Sequence, residues 1–283
     1  MEAPTEYELL QMWEEHMVAE GKSPVTIDKY RYWLHKLPSR TKPAKPLNEI
    51  TEQDVVVFLA TMPPSASAKQ LAMAAFKSFF RWAALRQHIE TNPVENIHPK
   101  APVERPADAF TPEEVGALMA AARKVAPVKG ERDALAIQLT YALGLRRSEV
   151  CKLEPDDVDW GNERVLIRSS KGGKTRWVEA NELAVNTLKG LARYNNGTVL
   201  GSMHPNYFSG LVHRAAVEAG FPPGRRNCHM LRAAFCTALL RGGTPIQVAA
   251  RLLGHSKIAT TSRYAACFAE DRRDAVARLP VPG

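Results

Sequence analysis

The first 90 residues carry apolar positions every three or four residues, the spacing of helices that bury one face. One such stripe consists of Leu9, Leu10, Trp13, Met17 and Val18, and Gly21 follows it as a residue that ends helices. The pattern therefore predicts that the chain begins with an amphipathic helix over residues 5–20.

Residue types that start helices mark further elements. Ser23 before Pro24 is typical of an N-cap with proline at the first helical position, and Thr51 with Asp54 resembles a capping box. These signals and the apolar spacing predict three more helices: from Ser23 to Leu37, from Thr51 to before Pro63, and from Ser67 to about Arg86. Residues 38–46 contain three prolines and are predicted as a loop.

Residues 91–106 contain four prolines and little apolar pattern, which predicts a linker. We therefore place a four-helix domain at residues 1–90 and a second domain at residues 107–283.

The second domain shows helical spacing with one β-like region. Thr111-Pro112-Glu113-Glu114 is a strong helix start, and Thr244 before Pro245 is predicted to cap a later helix. Further helices are predicted over residues 133–143, 148–153, 181–194, 204–219, 229–241, 244–253 and 256–264. Two short runs, Val165–Ile167 and Arg176–Val178, predict an antiparallel hairpin with a basic tip. The predicted fold is mainly α, with one small antiparallel hairpin or sheet.

Composition is typical of a globular chain, with 45% apolar and 24% charged residues. No apolar run approaches the roughly 20 residues of a membrane span, and the N-terminus has no secretory signal, so we expect a cytoplasmic protein without membrane contact. The whole net charge of +8 lies in residues 104–283, where arginine outnumbers lysine. That half is a candidate for binding a polyanion, although an inert basic surface fits the composition equally well.

The four cysteines form no CxxC pair, and we expect reduced, mostly buried thiols. A zinc site built from Cys228, His229 and Cys236 is an alternative by residue type, but the spacing fits no zinc module. We predict no metal and no cofactor.

A group of cationic and acid–base side chains points to chemistry on a phosphodiester. An anionic nucleophile at a phosphate crowds negative charge, which arginine donors held in place can neutralise. Arg146 follows a glycine turn, and His229 and Arg232 share one face of a predicted helix. Tyr264 is the candidate nucleophile, and its phenol needs neighbouring cations or a base.

Three further residues complete this set. His255 lies at a predicted helix end, Lys171 on the hairpin tip could protonate a leaving oxygen, and Glu149 could orient Arg146 or a histidine. Each signal alone is more typical of an ordinary surface or half-buried residue. The order and spacing of all of these residues together favour a catalytic site. Candidate DNA-binding residues are Lys69, Lys77, Arg81, Arg147, Lys174 and Arg176.

These motifs resemble the tyrosine recombinase family, also called phage integrases. Gly144-Leu145-Arg146-Arg147-Ser148-Glu149-Val150 is similar to its first arginine box, and His229-Met230-Leu231-Arg232 to its H-x-L-R box. Leu253-Gly254-His255, Thr260-Thr261 and Tyr264 are similar to its last box, and Lys171 falls where the family has its hairpin lysine. The chain resembles the simple two-domain members, such as the Xer group and small phage integrases.

The resemblance implies a DNA breaking–rejoining fold and a site-specific recombinase of double-stranded DNA. Tyr264 would form a 3′-phosphotyrosyl bond, and Arg146, Arg232, His229 and His255 would hold the phosphate. Lys171 would act as general acid and His229 would accept the proton of Tyr264, with Glu149 in support. It also implies core-type sites, a homotetramer on two synapsed duplexes, a Holliday junction, and a monomer when free.

Several alternatives remain at the level of sequence. The chain could be a type IB topoisomerase, a class of enzyme whose active site is similar. It could also be a non-catalytic DNA-binding protein that retains the fold. Phage or mobile-element integration is not separated from Xer-type dimer resolution. A tail from Ala265 to Leu279 would dock on its own domain or on a neighbouring protomer.

Overall fold

The computed structural model describes residues 4–63, 66–98, 108–168, 175–255 and 258–265. The chain divides into two compact units, Met1–Val103 and Glu104–Gly283. This division falls inside the segment 91–106 that the sequence predicts as a linker.

The described part of the first unit contains four α-helices: α1 (Glu6–Ala19), α2 (Pro24–Lys36), α3 (Glu52–Thr61) and α4 (Ala66–Leu85). The predicted starts are confirmed, because Ser23 caps α2, and Thr51 and Asp54 form a complete capping box on α3. The predicted loop at 38–46 is wrong in part, since Pro38–Arg40 form a short 3-10 helix; a second one, Leu47–Glu49, follows the loop. The apolar stripe predicted for α1 is wrong at Val18, which is exposed.

Aromatic side chains fill the core of the first unit. Phe76, Phe79 and Phe80 on α4 are fully buried, and Trp13 of α1 packs edge-on against Phe79 at 6.0 Å between ring centroids. Trp13 also donates an indole hydrogen bond of 3.3 Å to Ser78. The aromatic residues of α4 are therefore mainly core residues, whereas Lys77 and Arg81 are exposed.

The described part of the second unit is also mostly helical. Its helices are α5 (Pro112–Val125), α6 (Gly130–Ala142), α7 (Arg147–Lys152), α8 (Glu182–Leu191), α9 (Pro205–Glu218), α10 (His229–Arg241), α11 (Ile246–Leu253) and α12 (Ala259–Ala265). The capping box predicted at Thr111 and Glu114 is present on α5. The predicted cap at Thr244 is wrong: Pro245 itself occupies the N-cap position of α11, without a side-chain hydrogen bond.

A three-stranded antiparallel sheet accompanies these helices: β1 (Val158–Asp159), β2 (Arg164–Arg168) and β3 (Thr175–Glu179). The predicted hairpin is confirmed as the β2–β3 pair, with Arg168 opposite Thr175. β1 was not predicted, because a two-residue strand carries no alternating pattern to detect. Within the described ranges, no helix is long and apolar enough to cross a membrane.

Glycine shapes the turn between α6 and α7. Gly144 has φ +60°, and a Cβ placed there would lie 2.3 Å from the Phe235 ring of α10. Only glycine combines that backbone with such a close approach. The turn therefore lies directly against α10, and Arg146 follows two residues later.

Candidate active site

A cleft of about 370 Å³ in the second unit brings together residues that are far apart in sequence. Its lining consists of Arg146, His229, Arg232, Gly254, His255, Thr260 and Tyr264. Five of the six predicted catalytic residues are in this set. The sixth, Lys171, lies outside the described residues, as does the DNA-binding candidate Lys174.

Arg146 is held at the start of α7 by Glu149. The Arg146 backbone N–H donates to Glu149 Oε2 at 2.9 Å, and its Nη1 donates to Oε1 at 2.6 Å. The expectation that Glu149 orients Arg146 thus agrees with the geometry. In the described part of the chain, Glu149 has no hydrogen bond to a histidine.

Glu149 also accepts two hydrogen bonds from Arg176 of β3, at 3.0 and 2.9 Å. The Arg176 side chain is only 12% exposed, and its Nε donates to the Leu252 carbonyl at 2.8 Å. This position departs from the expected contact of Arg176 with DNA, because its donors point into the protein. Burial tends to raise the pKa of Glu149, but hydrogen bonds from Arg176 and Arg146 outweigh burial and lower it to about 2.

Arg232 lies at the bottom of the cleft and is 5% exposed. Its Nη1 donates to the Gly144 carbonyl at 2.7 Å and its Nη2 to the Leu253 carbonyl, which leaves other guanidinium donors for an anion. Burial, with the nearby charge of Arg146, lowers the pKa of Arg232 to about 9. The cleft thus holds cationic charge that an incoming anion would stabilise.

Both histidines of the cleft favour the neutral form. Burial lowers the pKa of His229, and Arg147, Arg232 and Arg146 lower it further by repulsion. Burial and the same kind of repulsion lower the pKa of His255 to about 4. Neutral imidazoles can accept a proton or donate a hydrogen bond, so either could serve acid–base chemistry at neutral pH.

Thr261 was not assigned a role from the sequence, although it belongs to the quoted Thr260-Thr261 pair. It is fully buried on α12, and its hydroxyl lies 2.9 Å from His255 Nδ1. The sequence signal was present only as part of the motif, since nothing in the spacing shows which side chain the hydroxyl meets.

Tyr264 is the best-placed candidate nucleophile among the described residues. It lies on α12 at the cleft, close enough to Arg232 for the electrostatic interaction between the two side chains to affect the pKa of Arg232. The described cysteines are unsuitable: burial raises the pKa of Cys151 to about 12 and of Cys236 to about 11, and also raises that of Cys228. These thiols are buried and free, as predicted. The described residues contain no group of three side chains able to hold a metal.

The remaining DNA-binding candidates lie on the surfaces of the two units. Lys77 and Arg81, one turn apart on α4, line a broad groove of the first unit with a volume of about 930 Å³. Lys69 of the same helix is half-buried and does not line that groove. Arg147 is exposed beside Arg146 in the second unit.

Comparison with known proteins covers nearly the whole chain. The model described as "Phage integrase family" matches residues 108–270, and "Phage integrase, N-terminal SAM-like domain" matches residues 9–90. Tyrosine recombinase XerA of Pyrococcus furiosus is 30% identical over 283 residues, with 96% of this chain and 93% of that protein covered. Tyrosine recombinase XerD of Mycobacterium tuberculosis is 29% identical over 290 residues, with 90% and 91% covered.

A solved structure shares the fold. The crystal structure of a lambda integrase (75-356) dimer bound to a COC′ core site superposes with a TM-score of 0.75 at 21% identity, covering 98% of each chain. The mainly helical architecture with a small antiparallel sheet is thus the integrase fold.

Proposed function

The chain belongs to the phage integrase family of tyrosine recombinases, enzymes that cut and rejoin DNA, and from this premise we propose that Tyr264 attacks the scissile phosphate of duplex DNA. The observation that carries the proposal is the convergence of Arg146, His229, Arg232 and His255 with Tyr264 around one cleft.

In the proposed cleavage step, the Tyr264 oxygen forms a bond to phosphorus while the bond from phosphorus to the 5′-oxygen breaks. The phenolic proton passes to the neutral imidazole of His229, whose lowered pKa leaves it free to accept a proton. Lys171 donates a proton to the departing 5′-oxygen. The product is a 3′-phosphotyrosine and a free 5′-hydroxyl.

Arg146 and Arg232 stabilise the negative charge that grows on the phosphate, with His255 as a further donor. Both guanidiniums are bonded within the protein before DNA arrives, so little reorganisation is needed when the substrate binds. Rejoining is the reverse reaction with a 5′-hydroxyl as attacking group. Neither a metal nor a nucleotide is required, because the phosphotyrosine conserves the energy of the phosphodiester.

Recognition of DNA involves both units in this proposal. Lys69, Lys77 and Arg81 of the first unit and Arg147 and Lys174 of the second contact phosphates of core-type sites. Four protomers synapse two duplexes and exchange strands in pairs through a Holliday junction, while free protein is monomeric. The reaction takes place in the cytoplasm. Phage or mobile-element integration and excision is the proposed outcome.

A second candidate is dimer resolution of the Xer type. It is favoured by the similarity to XerA and XerD, which extends over at least 90% of this chain and of each relative. A plasmid with two directly repeated sites, offered together with a second plasmid carrying one site, separates these outcomes. A resolvase yields deletion products, an integrase also joins the two plasmids, and relaxation without exchange indicates a topoisomerase.

The proposal is tested with a duplex library of randomised sequence that carries sparse single-strand nicks. Cleavage near a nick releases a short fragment and traps the covalent complex. We expect wild-type protein to recover a defined sequence attached through its 3′ end, from which a single suicide duplex is made. Attachment through a 5′ end, or the absence of adducts, would contradict the proposal.

A further inference from the structure

Three successive backbone carbonyls at the end of α11 each accept a hydrogen bond from a different arginine. Leu252 accepts from Arg176 at 2.8 Å, Leu253 from Arg232, and Gly254 from Arg146 at 3.2 Å. We call Leu252, Leu253 and Gly254 the carbonyl row. A helix C-terminus carries partial negative charge, so it is a suitable anchor for guanidiniums.

The three arginines reach the carbonyl row from different elements. Arg146 precedes α7, Arg232 lies on α10, and Arg176 lies on β3. Two of them line the cleft, whereas Arg176 does not. Arg176 therefore shares the anchor of the phosphate-binding residues without reaching the phosphate site.

The Arg176 side chain packs closely against the backbone of Gly254. A Cβ added to Gly254 would lie 3.1 Å from Arg176 Cδ and 3.2 Å from Arg176 Nη1, and Gly254 has φ +63°. The glycine at this position thus serves both the left-handed turn after α11 and the passage of the Arg176 side chain.

One carboxylate, that of Glu149, faces all three guanidiniums. It is hydrogen-bonded to Arg146 and Arg176, and its Oε2 lies 3.7 Å from Arg232 Nη1. If Arg176 were removed, both oxygens of Glu149 would lose a hydrogen-bond donor. The negative charge of Glu149 would then be less neutralised, and its attraction for Arg232 would increase. Arg232 would then be drawn toward Glu149 and away from the cleft.

We propose that Arg176 is a positioning residue that holds Glu149 and the end of α11, and thereby sets the position of Arg146 and Arg232 in the cleft. This inference rests on the proposed function of the cleft. Arg176 is the second residue of β3 and follows Lys171 by five residues in the sequence, so the same contacts connect the β2–β3 pair to Arg146 and Arg232.

The test compares Arg176→Gln and Arg176→Lys with wild type in single-turnover cleavage of the suicide duplex. We expect Arg176→Gln to cleave on the order of 10²-fold more slowly, because a small displacement of the phosphate-binding groups has that effect. Arg176→Lys keeps the charge, but its donors share one nitrogen and do not reproduce the planar fork that spans two carboxylate oxygens and a carbonyl, so it should recover only part of the rate.

Duplex binding at graded salt distinguishes positioning from phosphate contact. A small displacement of Arg146 and Arg232 keeps both charges near the phosphate and leaves the dependence of affinity on salt unchanged, whereas loss of a phosphate contact by Arg176 itself lowers the slope of log K against log salt by about one. Glu149→Gln provides a double-mutant cycle, since Arg176→Gln should slow cleavage less in that background than in wild type. Wild-type cleavage by either Arg176 variant, a lowered slope, or independent effects in the cycle would overturn the inference.

Inorganic phosphate is a probe that requires no cleavage. Its binding is followed through the imidazole resonances of His229 and His255, with Arg176→Lys as the variant because its charge and folding should be preserved. Weaker phosphate binding by Arg176→Lys supports the inference even if wild type cleaves no DNA, which would contradict only the proposed function. Equal affinity would overturn the inference whatever the cleavage result.

Discussion

The hydroxyl of Thr261 lies 2.9 Å from Nδ1 of His255 and links α12, the helix that carries Tyr264, to the end of α11. Thr261 precedes Tyr264 by one turn of α12, and His255 follows the carbonyl row. In the proposed reaction, one hydrogen bond thus relates the position of the Tyr264 phenol to that of His255, the proposed phosphate donor.

Replacement of Thr261 by valine should slow cleavage of the suicide duplex roughly tenfold, because a buried hydrogen bond of about 1–2 kcal/mol is lost without a change in side-chain shape. Thr261→Ser retains the hydroxyl and should cleave at close to the wild-type rate. The link between the two helices would be refuted if valine and serine had the same effect. Duplex affinity, measured in parallel, should be similar for all three proteins.

The pKa of His229 should lie below its ordinary value of 6.5 in the free protein, as measured by NMR titration of the imidazole. Burial is the largest cause, and the repulsion of Arg147, Arg232 and Arg146 adds to it. Because His229 stays neutral as pH falls below 6.5, its capacity to accept a proton is lost only at lower pH. Arg147→Gln removes one exposed charge and should raise this pKa. An unchanged or lower value in that variant would contradict the electrostatic account.

Glu149→Gln should destabilise the protein at neutral pH by on the order of 3 kcal/mol, from the difference between an ordinary pKa of 4.5 and about 2. The carboxylate contributes this stability above pH 4.5, and the contribution is lost as pH falls from 4.5 toward 2. The difference between wild type and variant in urea unfolding should therefore shrink over that range. Glu182→Gln, at an exposed position on α8, is the control. A difference that is constant with pH would show that the charge of Glu149 is not the cause.

Lys171→Ala should reduce cleavage of ordinary DNA by about 10²- to 10⁴-fold, the usual contribution of a general acid. A duplex with sulfur in place of the 5′-bridging oxygen has a leaving group that needs no proton, so the variant should cleave it at nearly the wild-type rate. Lys189→Ala, at an exposed lysine of α8, is the control and should retain cleavage of both substrates. If sulfur failed to restore cleavage by Lys171→Ala, the lysine would not be the general acid.

The sequence predicted the helices and the cleft residues because their signals are local. Caps such as Thr51 with Asp54 are complete within four residues, and the H-x-L-R spacing already places His229 and Arg232 on one helix face. Partner choice over long distances could not be predicted. From the sequence, Arg176 is expected to be an exposed arginine on a strand beside a basic hairpin tip. In the structure it donates hydrogen bonds to the Glu149 carboxylate, 27 residues away, and to the Leu252 carbonyl, 76 residues away.

The same limit explains the smaller errors. Thr244 before Pro245 has the composition of a cap, but the chain enters α11 with Pro245 in the cap position. The sequence offers several possible hydrogen-bond partners for the hydroxyl of Thr261, and only the packing of α12 against α11 selects His255. Such residues require the structure because their role is defined by what they contact.

The most direct test of the account is the covalent bond itself. Wild type, Tyr264→Phe and the control Tyr141→Phe are each incubated with the suicide duplex, denatured, digested and analysed by mass spectrometry for nucleotide-linked peptides. We expect a 3′-nucleotide on Tyr264 in wild type and in Tyr141→Phe, and none in Tyr264→Phe, which still binds the duplex. A covalent adduct that persists in Tyr264→Phe would contradict this expectation.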